Sequence, residues 1–175
     1  MNLIDCCHNK VGRLKMERFS IQKSLGRGTT AQFFVSGAID ESSKFPALLE
    51  IGKATAVNID LKGVTSLNSI GIRAWCQWID GFGAIPIVVE HVPALVVKAF
   101  NIVLGAYPPN MQIASFFVPY HSQKEGRKDI LFLRGVHYLA NGEVRAPATV
   151  KEGSSIFELD VLPSYFKFIN AYIKT

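Results

Sequence analysis

The run Val57-Asn-Ile-Asp-Leu-Lys-Gly-Val-Thr-Ser-Leu-Asn-Ser-Ile-Gly-Ile72 leaves this chain few folds to choose from. Val57, Ile59 and Leu61 alternate with polar residues, as in a strand. Gly63 and the polar residues Thr65, Ser66, Asn68 and Ser69 interrupt it. Ile72, Trp75, Cys76, Ile79 and Phe82 then recur at helical spacing and predict one buried helix face, with Cys76 on it as a small hydrophobe. Asn68 or Ser69 can cap that helix by accepting from its first free N–H groups. A polar loop is therefore expected at the carboxyl end of a strand, on a helix N-terminus. Partners and anions are commonly met there in α/β sheets.

The flanks extend this unit into an α/β domain. Phe19 to Leu25 and Thr30 to Gly37 read as a strand hairpin around the turn Gly26-Arg-Gly28. Phe45 to Ile51 reads as a short helix closed by Gly52. After the central strand (Ala56 to Leu61) and its helix, closed by Gly81 and Gly83, Ile85 to Val89 is an apolar strand. Pro93 opens a helix carrying Val96, Val97, Phe100, Val103 and Leu104. Pro108-Pro109 breaks it, and Gln112 to Val118 reads as a fifth strand. The remainder is expected to be β-rich: strands at Asp129 to Leu133 and Ser155 to Leu159, a turn at Asn141-Gly142, and a closing helix from Pro163 with Phe166, Ile169 and Ile173 on one face.

Composition narrows the class. With 49% hydrophobic and 19% charged residues the chain is globular, not disordered. The net charge of +5 is unevenly spread. Residues 1–28 hold six Lys/Arg against two acids, residues 29–115 five against six, and residues 116–152 six against four. The basic flanks allow a weak nucleic-acid contact but carry no interleaved aromatics, so nucleic acid ranks last among the partners. Cys6, Cys7 and Cys76 form no disulfide framework and suit a reducing compartment. Adjacent Cys6-Cys7-His8 has no second ligand pair, so no metal is expected. No signal peptide and no membrane span is expected, because the apolar run Ile85 to Ala106 contains Glu90, His91, Pro93 and Lys98.

No catalytic constellation stands out. His8, His91, His121 and His137 are scattered, and no nucleophile elbow or phosphate-binding loop is present. Asp60 suits a paired carboxylate better than a catalytic one. Neither catalysis nor a cofactor is expected.

Two short motifs carry a resemblance. Asn68-Ser69-Ile70-Gly71-Ile72, after an apolar strand and Gly63-Val-Thr65, resembles the Asp-Ser-Ser-Gly-Leu loop of STAS domains, the fold of anti-sigma factor antagonists. Gly37-Ala-Ile-Asp40 resembles the Gly-x-Leu-Asp that ends their second strand. The resemblance covers roughly residues 19–118. It implies a STAS-like mixed β-sheet with helices packed on it, preceded by an N-terminal segment (1–18) and followed by a small β-rich extension (119–175). It further implies a cytoplasmic bacterial regulator that docks a protein partner, such as an anti-sigma factor or a kinase-like regulator. The contact residues would be Gly37, Asp40, Thr65, Ser66, Asn68, Ser69, Ile70 and Gly71. In phosphoregulated members the residue before the glycine is the modified serine; here it is Ile70, so the neighbouring Ser69 is either a phosphosite or simply part of the helix cap. The runner-up is a small-ligand, nucleotide or anion sensor on the same helix N-terminus. A homodimer through the hairpin edge or the tail stays open.

The tail resembles a zinc-ribbon extension that follows STAS-like domains in some bacterial proteins. Pro119-Tyr120 and Glu158-Leu-Asp-Val-Leu-Pro-Ser-Tyr-Phe166 stand where that extension has them. Ser122, Glu125, Val150 and Gly153 stand where its cysteines would be, so a metal-free remnant is expected.

Overall fold

A computed structural model describes residues 18–25, 29–47, 52–103, 105–137 and 144–170. The fold is α/β, built on two sheets. The first holds β1 (Ser20–Leu25), β2 (Thr30–Ile39), β3 (Ala56–Leu67), β4 (Ile87–Glu90) and β5 (Met111–Ile113), side by side in that order. β1 is antiparallel to β2, and the other neighbours are parallel. The second holds β6 (Ser115–Ser122), β7 (Gly126–Leu133), β8 (Thr149–Glu152) and β9 (Ser155–Leu159), antiparallel in the order β7-β6-β9-β8.

Helices α1 (Ser69–Asp80) and α2 (Ala94–Ile102) cover one face of the first sheet. That face is apolar because the strands alternate. Ala31, Phe33 and Val35 of β2, Val57, Ile59 and Leu61 of β3, and Ile87 and Val89 of β4 are all buried. Trp78 of α1 and Phe82, two residues beyond its end, meet the Phe33 ring, and Trp75 meets Phe100 of α2. The opposite face carries Gln32, Phe34, Asn58 and Asp60, half-buried or exposed.

A second layer continues from the same core. A 3-10 turn (Pro163–Phe166) runs into α3 (Lys167–Asn170). Asn101 of α2 holds this end twice, donating to the Tyr165 carbonyl and accepting from Phe168 N–H, both at 2.8 Å. The Tyr165 hydroxyl donates to the Phe117 carbonyl at 2.6 Å, and burial with the nearby Asp129 charge pushes its pKa up. Phe116, fully buried, meets the rings of Phe132, Phe166 and Phe168. No helix among the described residues is long and apolar enough to cross a membrane.

The elements depart from sequence expectation at several places. The central strand does not stop at Leu61 but runs to Leu67, so Thr65 and Ser66 lie in β3 and not in a loop. Register shifts against β2, between Phe34 and Ser36 and between Gly37 and Ala38, absorb the extra residues as bulges. β2 itself runs past Gly37 to Ile39, and Gly37 takes φ +82°, a left-handed value glycine adopts freely. The buried stripe of α1 includes Trp78, packed against the rings of Phe33, Phe45 and Phe82, while Cys76 is only half-buried. Burial and the Asp80 charge push the Cys76 thiol up, away from reactivity. The fourth strand is Ile87–Glu90, since Ile85 N–H closes a turn on Phe82.

The expected fifth strand breaks at Ala114. Ala114 N–H bonds to Val89 in the first sheet, whereas its carbonyl accepts from Arg134 in the second. β5 thus ends one sheet and β6 opens the other, crossing position 118 without a break. In the tail, β7 begins three residues before Asp129, and β8 was not foreseen. Phe45 to Ala47 are not helical. Residues 48–51, the turn at Gly26–Gly28, the Asn141-Gly142 turn, and Cys6, Cys7 and His8 lie outside the described residues.

Candidate functional site

The two short motifs meet in space. Asn68 is the single residue between β3 and α1. Its backbone is extended, and its Oδ1 accepts from Ile70 N–H at 3.0 Å and Gly71 N–H at 2.8 Å. This is an N-cap that satisfies two of the helix's free donors. Asn68 N–H donates to the Ile39 carbonyl at 3.2 Å, tying the helix start to the end of β2. Asn68 Nδ2 donates to Glu41 Oε2 at 2.9 Å. One side chain therefore joins both loops.

Gly71 makes the junction close. A Cβ there would lie 2.1 Å from the Ile39 carbonyl oxygen and 2.5 Å from its carbon. Only glycine lets the first turn of α1 sit against that backbone.

Asp40 orders the other loop. Its Oδ1 accepts from Ser42 N–H at 2.8 Å and from Ser42 Oγ–H at 2.7 Å. Those bonds hold its carboxyl below the usual carboxylate range. Asp40 N–H donates to Ser43 Oγ at 2.9 Å, and Ser43 Oγ–H donates to the Ala38 carbonyl at 3.2 Å. The turn is held from within, as Asx and Ser turns are.

Of the expected contact residues, Thr65, Asn68, Ser69 and Ile70 are exposed, Asp40 and Ser66 half-buried, and Gly37 and Gly71 buried. The two glycines thus shape the surface without offering side chains to it. Ile70 is 54% exposed, an apolar group beside polar Asn68 and Ser69. Glu41 and Ser42, which sequence reasoning did not select, join this surface through their bonds to Asn68 and Asp40. The run Asp40-Glu41-Ser42-Ser43 signals a turn in the sequence, but nothing in it marks which residue reaches Asn68.

Asp60 and His91 also pair. His91 Nδ1 lies 3.1 Å from Asp60 Oδ2, and Asp60 Oδ1 accepts from Lys62 N–H at 2.8 Å. His91 takes φ +52° as the chain turns from β4 toward α2, and its N–H donates to buried Ser115 Oγ at 2.8 Å. Ser115 is engaged through a backbone donor and is not aligned with the imidazole ring by any bond.

In the tail, the two hairpin turns face each other. β6 and β7 turn at Gln123 to Glu125, and β8 and β9 at Gly153-Ser154. Ser155 Oγ–H donates to Glu125 Oε1 across the gap. Lys128 pairs with Glu152 and lies over the Phe157 ring, 5.4 Å from its centroid. Among the described residues no three His, Cys, Asp or Glu side chains converge as a metal site.

No protein-family model, curated protein or solved structure matches this chain.

Proposed function

We propose that this chain is a STAS-like regulatory module that docks a protein partner through the junction of Asp40–Ser42 with Thr65–Ile72. The observation that carries the proposal is the state of the α1 N-terminus. Its Ile70 and Gly71 donors already serve the Asn68 side chain, and that side chain holds the Glu41 carboxylate beside them. An incoming anion would have to displace a cap worth about 1 kcal/mol and approach a like charge. An exposed isoleucine set in a rigid polar rim suits an apolar protein contact instead. These features support docking over the anion-sensor reading at this helix end.

Two features support the family reading: the sheet order β1-β2-β3-β4-β5 with an antiparallel first pair, and the meeting of the two motifs that suggested it. Ser69 acts as part of the contact surface, not as a phosphate acceptor. A phosphate of about −1.5 to −2 charges there would stand beside the carboxylate bonded to Asn68.

The test is capture of a partner from native lysate by the wild type, Ile70→Lys and Ser69→Glu. The expected result is a partner held by the wild type and lost with Ile70→Lys. A partner held equally by all three would move the contact elsewhere. Asn68→Lys is a poorer probe, because it removes the cap as well as the surface.

The tail is best read as a metal-free counterpart of a zinc-ribbon extension, its two turns joined by Ser155 and Glu125 in place of a cation. Metal analysis of the chain purified without chelator is expected to find far less than one zinc per chain. Stoichiometric zinc resistant to dialysis would contradict this.

A further inference from the structure

A separate cleft opens where β3, the start of α2 and the second sheet come together. It is a half-open cleft of about 450 Å³, within the size range of small-molecule pockets. Lys62, Lys98 and Arg127 line it, and Asp129 is the one acid on its wall. Asp129 is already engaged, its two oxygens 2.9 and 3.2 Å from Arg127 Nε and Nη2. Among the described residues, Lys62 and Lys98 have no ion-pair partner. The cleft thus carries two uncompensated positive charges.

Its placement is built into the fold. The β3 bulge follows Asp60, whose Oδ1 holds Lys62 N–H, and both Lys62 and Val64 reach the cleft beyond it. Bulges commonly re-aim side chains in this way. The left-handed turn at His91 brings Pro93 and α2 to the same place, and Pro93 supplies no side-chain cap. The helix end adds a favourable field for an anion, although the lysines and the cleft's shape define the site. Val64, Leu95 and the half-buried Phe117 provide an apolar wall next to the charges.

A purely apolar ligand would leave the lysines unused, and a bare inorganic anion would leave Phe117 and most of the volume unused. We propose that this cleft binds a small organic phosphate, its phosphate between Lys62 and Lys98 and its apolar, planar part against Phe117. Lysine serves such phosphates as a mobile point charge. The site is distinct from the docking junction, so the two proposals stand or fall separately.

Phenyl phosphate, inorganic phosphate and phenol are the probes, titrated into the full chain and followed by amide NMR. Phenyl phosphate is expected to saturate, with shifts centred on Ala94, Leu95 and Phe117, and to bind about tenfold more tightly than either half alone. Lys62→Gln with Lys98→Gln is expected to weaken it about tenfold or more, and Lys53→Gln, at an exposed lysine away from the cleft, to leave it unchanged. All three lysines are exposed, so these variants should fold, and unchanged melting temperatures would verify it. Unsaturable shifts spread over surface lysines would mean an adventitious ion only and overturn the proposal. So would phenol binding as tightly as phenyl phosphate, or an equal loss with Lys53→Gln.

Discussion

Gly71→Ala is expected to destabilise the protein by about 3 kcal/mol or more, far beyond the usual cost of a glycine replacement. The added methyl would stand 2.1 Å from the Ile39 carbonyl oxygen, a backbone atom that no rotamer change can move. Either α1 withdraws or the end of β2 shifts. Both break the Asn68 N–H bond to Ile39 and take Glu41 away from Asn68. Gly52→Ala is the control. Gly52 has φ +60° with nothing within 4 Å of the new methyl, so it bears only the left-handed backbone cost of about 1 kcal/mol. Urea unfolding of the two variants compares them directly. Equal losses would mean that the close approach of α1 to β2 carries no weight.

Phe116→Ala is expected to cost about 4 kcal/mol, the usual loss for emptying a buried phenyl site. Its consequence for the two sheets matters more than its size. Phe116 is fully buried on β6, in contact with Phe132 of β7 and with Phe166 and Phe168 near the chain's end. The chain's two tryptophans, Trp75 and Trp78, both lie on α1 against the first sheet. If both sheets share one core, tryptophan fluorescence will show the Phe116→Ala midpoint lowered along with the second sheet. A tryptophan midpoint that stays in place while the β6–β9 amides lose exchange protection would show two independent folding units.

The parts of the fold that depend on local pattern were legible in the sequence. Val57, Ile59 and Leu61 predicted a strand, though not its run on to Leu67, and Ile72, Trp75 and Ile79 predicted the inner face of α1. A polar cap was expected from residue type and position at Asn68 or Ser69, and Asn68 provides it. What escaped were features set by a distant segment. Trp78 sits on the helical stripe, three residues after Trp75, but its ring partners Phe33 and Phe45, the latter 4.8 Å away between ring centroids, come from distant segments. The break at Ala114 leaves no mark in the sequence from Gln112 to Val118, since both sheets bury apolar side chains of this stretch. Gly71 was chosen for its place in a motif, but its physical reason, the Ile39 carbonyl, lies on another strand. Glu41 was missed for the same cause: its partner Asn68 is 27 residues away. The cleft of Lys62, Lys98 and Arg127 draws on β3, α2 and β7, and no sequence neighbourhood contains it.

Docking of a protein partner through Ile70 at the junction around Asn68 is the proposal on which the functional reading rests. The most direct measurement is the affinity of the purified partner, in solution, for wild type, Ile70→Lys and Ile102→Lys. Ile102 is 79% exposed on α2 and serves as an apolar surface control. Both variants should melt within about 0.5 kcal/mol of wild type, because neither side chain is buried. Docking through Ile70 is expected to give a loss of about tenfold or more with Ile70→Lys and none with Ile102→Lys. Equal affinity for all three proteins, or a loss confined to Ile102→Lys, would contradict it.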